Sequence, residues 1–319
     1  MQKKLQINLL SCNHRSSRFP FSLRMFQELE SIENFDAVRL CIHGEAGTIT
    51  AWKQYLTQNA SKLEVILYEY NNSDYLSRID TAHKTDCEYS CKVDDDVFIN
   101  RYVWDYMINN LHMINEQNPI ISPILTNGMP SVELFMKDFL EEKDLEIAHS
   151  ILLNGSIPTN LWGLDYTEIN NKIRSMNKWD GREYWDFVSK VNTKWETNSV
   201  PWSYFIVRGV HPARFSAEYN LFIANKIFEN KSKIFKKQEY RMEEYPAPYF
   251  TNNIFISKTK YWIDTLKLLN DGWDEGQLSI RMIMDKSSIL YVRNGLGIHM
   301  AYGMTDQASL IEKTYMENL

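Results

Sequence analysis

Three consecutive carboxylates, Asp94, Asp95 and Asp96, stand in the run Cys91-Lys92-Val93-Asp94-Asp95-Asp96-Val97-Phe98-Ile99-Asn100, directly after a buried-looking strand and before an apolar segment. Crowding that much negative charge is costly unless a cation neutralises it. In extended backbone alternate side chains share a side, so Asp94 and Asp96 are expected to reach one divalent ion while Asp95 points elsewhere. Hard oxygen ligands select Mn2+ or Mg2+ over zinc. Two other accounts fit the same residues: a solvated acidic turn or helix N-terminus, and a two-metal nucleotidyltransferase or nuclease built on paired carboxylates. Cys87 and Cys91 lack a second ligand pair and give zinc no support.

Two further sets of residues have chemical reach. Trp162, Trp179, Trp185, Trp195 and Trp202 concentrate in the middle of the chain, where aromatic faces suit sugar rings and nucleobases, although core packing is the plainer use. Lys226, Lys231, Lys233, Lys236, Lys237 and Arg241 form a basic strip that, with Arg208, His211 and Arg214, could follow a phosphate backbone. A solvated helix face explains the same strip.

The elements that must carry these groups are legible as a rhythm. Short apolar runs at residues 6–12, 37–42, 63–68 and 89–93 read as strands, and amphipathic stretches at 22–31, 50–58 and 75–84 read as the helices between them. Ser22, Thr48 and Asn72 to Asp74 offer N-cap chemistry. From Thr126 to Arg241 the chain turns mainly helical, broken at Pro158, Pro201 and Pro212. A strand at 253–257, a helix at 260–270 and a last strand at 288–293, followed by a Gly-containing tail, resume the α/β pattern. The expected division is 1–125 for a nucleotide-binding α/β half, 126–241 for a helical insertion or acceptor-side region, and 242–319 for the closing part of the core. A chain of 319 residues with 44% hydrophobic and 24% charged residues can bury a full core. No run of 18 apolar residues suggests a membrane span, and four cysteines make no disulfide framework, so a cytoplasmic location is expected. The net charge of −6 argues against a wholly basic, nucleic-acid-coating surface. Nothing in the pattern fixes an oligomeric state.

The run Lys92 to Asn100 is similar to the acidic motif of GT-A glycosyltransferases of the β-1,3-galactosyltransferase type, and Tyr245-Pro246-Ala247-Pro248-Tyr249 with residues 251–257 resembles the Tyr-Pro segment, strand and helix of that family. The glycines that follow the family's segment are replaced here by Thr251-Asn252-Asn253. The resemblance implies a GT-A fold, a Rossmann-like mixed sheet flanked by helices, and a nucleotide diphosphate sugar donor, with a UDP-sugar favoured. It further implies a carboxylate pair that meets the acceptor hydroxyl, for which Asp274 and Glu275 are the candidates, and a late metal-binding histidine, for which His299 in Gly295-Leu296-Gly297-Ile298-His299 is the candidate. The metal set is then Asp94, Asp96 and His299. As ligands sit outside the carboxyl ends of strands in open α/β sheets, the donor-binding set is Asn13, Arg15, Glu45, Arg78, Lys84, Asp94 and Asp95, with Arg18 nearby. A helix-capping Asp-Glu pair is the bland account of Asp274 and Glu275. The acceptor stays open between a glycan and a hydroxymethylated DNA base, as does a silent sugar-binding protein that keeps the fold.

Overall fold

The computed structural model describes residues 3–11, 19–70, 85–128, 130–161, 164–191, 210–246, 253–266, 274–300 and 307–319. The expected mixed α/β architecture is present: a central mixed sheet flanked by helices. Strands β1 (Leu5–Leu10), β2 (Val38–Gly44), β3 (Glu64–Glu69) and β4 (Tyr89–Asp94) form a parallel block in the order β3-β2-β1-β4. Three strands of the central sheet are new relative to the sequence reading: β5 (Val97–Ile99), β6 (Ile120–Leu125) and β9 (Arg241–Pro246). β7 (Asn160–Leu161) and β8 (Leu164–Asp165) pair only with each other. β10 (Ile254–Lys258) runs antiparallel between β4 and β6, and β6 lies parallel to β11 (Ser288–His299).

The parallel block has two unlike faces. Leu5, Ile7 and Leu9 align with Val38, Leu40 and Ile42 on one side and with Tyr89, Cys91 and Val93 on the other, giving one apolar face. Helices α1 (Phe19–Leu29) and α2 (Ala46–Gln58) bring Phe21, Met25, Phe26, Ile49 and Trp52 into the same core, with Phe26 edge-on to Trp52 at 5.4 Å. The opposite face carries Gln6, Asn8, His43, Ser90 and Lys92, all buried. Burying polar groups there is affordable because they bond to one another. Gln6 Nε2 donates to Asn8 Oδ1 at 3.0 Å, Asn8 Nδ2 to Cys91 O at 3.1 Å, and Ser90 and Thr259 share a hydroxyl bond of 2.8 Å.

The remaining helices are α3 (Arg101–Asn109), α4 (Ser131–Phe139), α5 (Glu142–Asn154), α6 (Thr167–Ser175), α7 (Gly181–Val191), α8 (Ala217–Glu229), α9 (Lys231–Ile234), α10 (Thr259–Leu266), α11 (Asp274–Asp285) and α12 (Ala308–Asn318). α4 packs on β6 and β11, and α8 packs on α5 and α12. Among the described residues no helix is long and apolar enough to cross a membrane.

Three local expectations are corrected. Ser22 lies inside α1, buried, and Thr48 lies in the first turn of α2, whose N-cap position is Glu45. The last strand does not stop at residue 293 but continues through the glycines to His299. It does so across a register shift between Val292 and Leu296, after which Gly297 packs so closely that a Cβ would lie 2.7 Å from Leu125 Cδ2. No expectation fell on β6, a strand that Pro123 disguises. The β10 ladder reaches only Ile120 and Ile121, so the missing N–H of Pro123 falls beyond it.

Candidate functional site

The acidic cluster hangs on a turn fixed from several directions. β4 ends at Asp94, whose N–H donates to Asn253 O at 2.9 Å, and the chain turns at Asp95 and Asp96 before β5. Asp95 N–H donates to Leu10 O at 3.1 Å, tying the turn to the carboxyl end of β1, and Met300 N–H donates to Asp96 O at 3.0 Å. Beyond β5, Asn100 closes the segment by accepting from Tyr102 N–H and Val103 N–H at 3.0 and 3.2 Å, capping α3.

The backbone turns here, and Asp94 and Asp96 meet different neighbours. Asp94 keeps the phase of β4 and lies with Lys92, its neighbour two residues back, whose Nζ is 3.3 Å from Asp94 Oδ1. Asn253 Nδ2 donates to Asp94 Oδ2 at 3.2 Å. Asp96 meets a residue from β11: its Oδ2 is 3.4 Å from Nε2 of His299, and both residues are buried, at 6% and 4% exposure. The expected three-residue metal set is therefore brought together only as the pair Asp96 and His299. Among the described residues no group of three or more His, Cys, Asp or Glu side chains is arranged to hold an ion.

His299 is held at its backbone N–H, its carbonyl and its ring Nδ1. Its backbone N–H donates to Thr126 Oγ1 at 3.2 Å, and its carbonyl accepts from Thr126 Oγ1 at 3.2 Å and from Asn127 Nδ2 at 3.0 Å. Nδ1 of the ring lies 2.6 Å from Asn127 Oδ1. Thr126 and Asn127 follow β6 directly, so the parallel pairing of β6 with β11 is what delivers them to the histidine. A buried carboxylate oxygen facing an imidazole nitrogen is a donor set that a divalent cation fits, and the nitrogen shifts the balance within the expected pair from Mg2+ toward Mn2+.

The other candidates fall differently. Asn13, Arg15, Arg18, Arg78 and Lys84 lie outside the described residues, as do Arg208, Trp162, Trp195 and Trp202. Glu45 is half-buried at the N-cap of α2, after β2, and makes no side-chain cap bond. Asp95 is buried in the turn. Asp274 and Glu275 open α11, with their side chains outside the described set. Two members of the basic strip face acids: Lys226 Nζ is 3.3 Å from Asp144 and 2.9 Å from Glu229, and Arg241 is 3.6 Å from Glu243. Trp179 and Trp185 pack around buried His211, at 5.1 and 5.7 Å between ring centroids. The His43 ring lies near-parallel to those of Tyr68 and Tyr70, at 5.1 and 5.8 Å between centroids, with Nδ1 2.8 Å from the Tyr70 hydroxyl.

Sequence reasoning assigned no role to Lys92, Asn127, Asn220 or Asn253. For Lys92 a signal existed, since it stands two residues before Asp94 on a strand. The asparagines carry none, because they join the site from far along the chain.

No family model and no curated protein matches this chain. Among solved structures it is similar to GalNAc-T7 determined with UDP, GalNAc and Mn2+, at 8% identity and a TM-score of 0.47, over 93% of this chain and 43% of that one. It is also similar to CMP:2-keto-3-deoxy-manno-octonic acid synthetase complexed with CTP, at 9% identity and a TM-score of 0.29, over 42% of this chain and 56% of that one. The chain thus spans less than half the length of the first of these.

Proposed function

We propose that this chain is a metal-dependent glycosyltransferase of the GT-A type, moving a sugar from a nucleotide diphosphate donor, a UDP-sugar first, to a hydroxyl-bearing acceptor. The observation that carries the reading is the meeting of Asp96 with His299 at 3.4 Å, two residues far apart in sequence, in a turn tied to the carboxyl ends of β1 and β4. That is where open α/β sheets bind their ligands. Bound at this pair, Mn2+ or Mg2+ would supply Lewis-acid stabilisation to the departing diphosphate.

The chain's own residues divide the remaining work. Asp96 and His299 hold the cation. Asp94, a quarter exposed and already facing Lys92, is better suited to accept hydrogen bonds from donor ribose hydroxyls than to bind the ion. Asp274 or Glu275, at the start of α11, is assigned the acceptor hydroxyl, taking its proton if transfer inverts the anomeric carbon. Residues 1–125 then serve the donor, 126–241 the acceptor side, and 242–319 complete the core. A glycan acceptor is favoured over DNA because Lys226 and Arg241 of the basic strip are matched by Asp144, Glu229 and Glu243.

The test is donor hydrolysis across a panel of nucleotide sugars with Mn2+ present or chelated, in wild type, Asp96→Asn and His299→Ala. Metal-dependent turnover lost in both variants supports the reading. Turnover by wild type on no donor, with Mn2+ still bound, would leave a silent sugar-binding protein. Salt-sensitive binding of duplex DNA would return the acceptor to nucleic acid.

A further inference from the structure

We infer that Asn127 and Asn220 are positioning residues that lock His299 in the tautomer whose Nε2 lone pair faces Asp96. The inference deepens the metal-site reading and rests on it for its purpose. Its geometry starts from groups that cannot turn around. The backbone carbonyls of Ala213 and Ser216 both accept from Asn220 Nδ2, each at 2.8 Å. Reversing that amide would press its oxygen against two carbonyl oxygens, so Asn220 Oδ1 is fixed as an acceptor.

Asn220 Oδ1 in turn takes a hydrogen bond from Asn127 Nδ2 at 2.9 Å, and the same nitrogen donates to His299 O at 3.0 Å. Two acceptors around one nitrogen fix the second amide as well. Asn127 Oδ1 is left facing His299 Nδ1 at 2.6 Å, a contact that is attractive only if Nδ1 carries the proton. In the neutral ring Nε2 is then bare, and it is Nε2 that stands 3.4 Å from Asp96 Oδ2. Two electron-pair donors held face to face in a buried site make a socket for positive charge. A ligating histidine whose other nitrogen is oriented by a fixed acceptor is how outer residues tune a metal centre.

The chain of amides also gives α8 a task. Asn220 is buried on that helix, whose start at Ser216 is fixed by the Ser216 hydroxyl accepting from Tyr219 N–H at 3.1 Å. Among the described residues, α8 thus reaches the site through the Asn220 amide and through the Tyr219 hydroxyl, which donates to Thr126 O at 3.3 Å.

The experiment reads His299 nitrogen shifts by NMR at a pH where the ring is neutral, together with the Kd for Mn2+ alone, in the full chain. Wild type should show the proton on Nδ1. Asn127→Leu should move it to Nε2 and weaken Mn2+ binding about 10- to 100-fold, whereas Asn127→Asp, which still offers an oxygen to Nδ1, should keep the wild-type tautomer and most of the affinity. Should Asn127→Leu not fold, Asn220→Ala, which frees the Asn127 amide to reverse, should give a mixture of tautomers. A wild-type ring protonated on Nε2, or an Asn127→Leu or Asn220→Ala ring still protonated only on Nδ1, overturns the inference. Absence of Mn2+ binding by wild type overturns instead the metal-site reading, and the nitrogen shifts still decide the relay.

Discussion

Two buried histidines in this protein stand at the same distance from a carboxylate and do opposite things. Nε2 of His211 is 3.4 Å from Glu133 Oε1, and Nε2 of His299 is 3.4 Å from Asp96 Oδ2. At His211 the ring's Nδ1 accepts from Ala213 N–H at 3.1 Å, so Nε2 carries the proton and points it at Glu133, which also takes the Trp179 indole N–H at 3.2 Å. That contact is closed and belongs to the core. At His299 the other nitrogen meets an amide oxygen, so the proton sits on the far side. Distance alone does not separate a structural histidine from a ligand; the partner of the second nitrogen does.

The comparison breaks most visibly at the carboxylates. Asp96→Asn should lower metal-dependent donor turnover by about three orders of magnitude, corresponding to several kcal/mol of lost stabilisation, with the melting temperature in the absence of metal little changed. Steady-state rates and calorimetry on the same preparation check both halves. Glu133→Leu should do the reverse, costing about 1–3 kcal/mol in urea unfolding by stranding the Trp179 and His211 N–H groups, while the Kd for Mn2+ stays at the wild-type value.

Removing metal should come next in size. At Mn2+ a hundredfold above Kd the folded wild type gains about 2.7 kcal/mol, which a chelator takes away and which Asp96→Asn never shows. Thermal melts with and without chelator read this directly. The smallest effect is on pH. Burial lowers the His211 imidazole below its ordinary value of 6.5, with Glu133 opposing, so the folded protein prefers the neutral ring. The sign follows: stability from this group is complete above about pH 6.5 and is lost as pH falls below it. His211→Asn, which can still accept from Ala213 N–H, should flatten that acid limb; an unchanged limb would assign it to other groups, of which half-buried His149 is one.

Much of the frame was legible because it rests on local pattern. β1 to β4 announce themselves as apolar runs, and the crowded aspartates point to the end of β4. The site itself was only half legible. Asp96 and His299 belong to motifs, whereas the neighbours of Asp94, Lys92 and Asn253, depend on a turn that the sequence does not mark. Asn127 and Asn220 were invisible because a buried asparagine is defined by long-range partners, His299 and Ala213 among them. β6 was hidden by its proline, and β11 was cut short because glycines in a strand read as loop.

β11 also carries a length gauge. Between Val292 and Leu296 the strand spends three residues without advancing along β6, with Asn294 at a φ of 62°, a conformation asparagine tolerates, and its side chain donating to Glu239 O at 3.1 Å. At the first residue of this slack, Arg293 is anchored to Asp138 and Glu243; after it, His299 meets Asp96. Side chains alternate along a strand, so removing a single residue from 293–295 would carry His299 into the place of Ile298, on the face away from Asp96, and Met300 into the place of His299. The count of residues in that short detour, more than any one side chain in it, is what aims the imidazole.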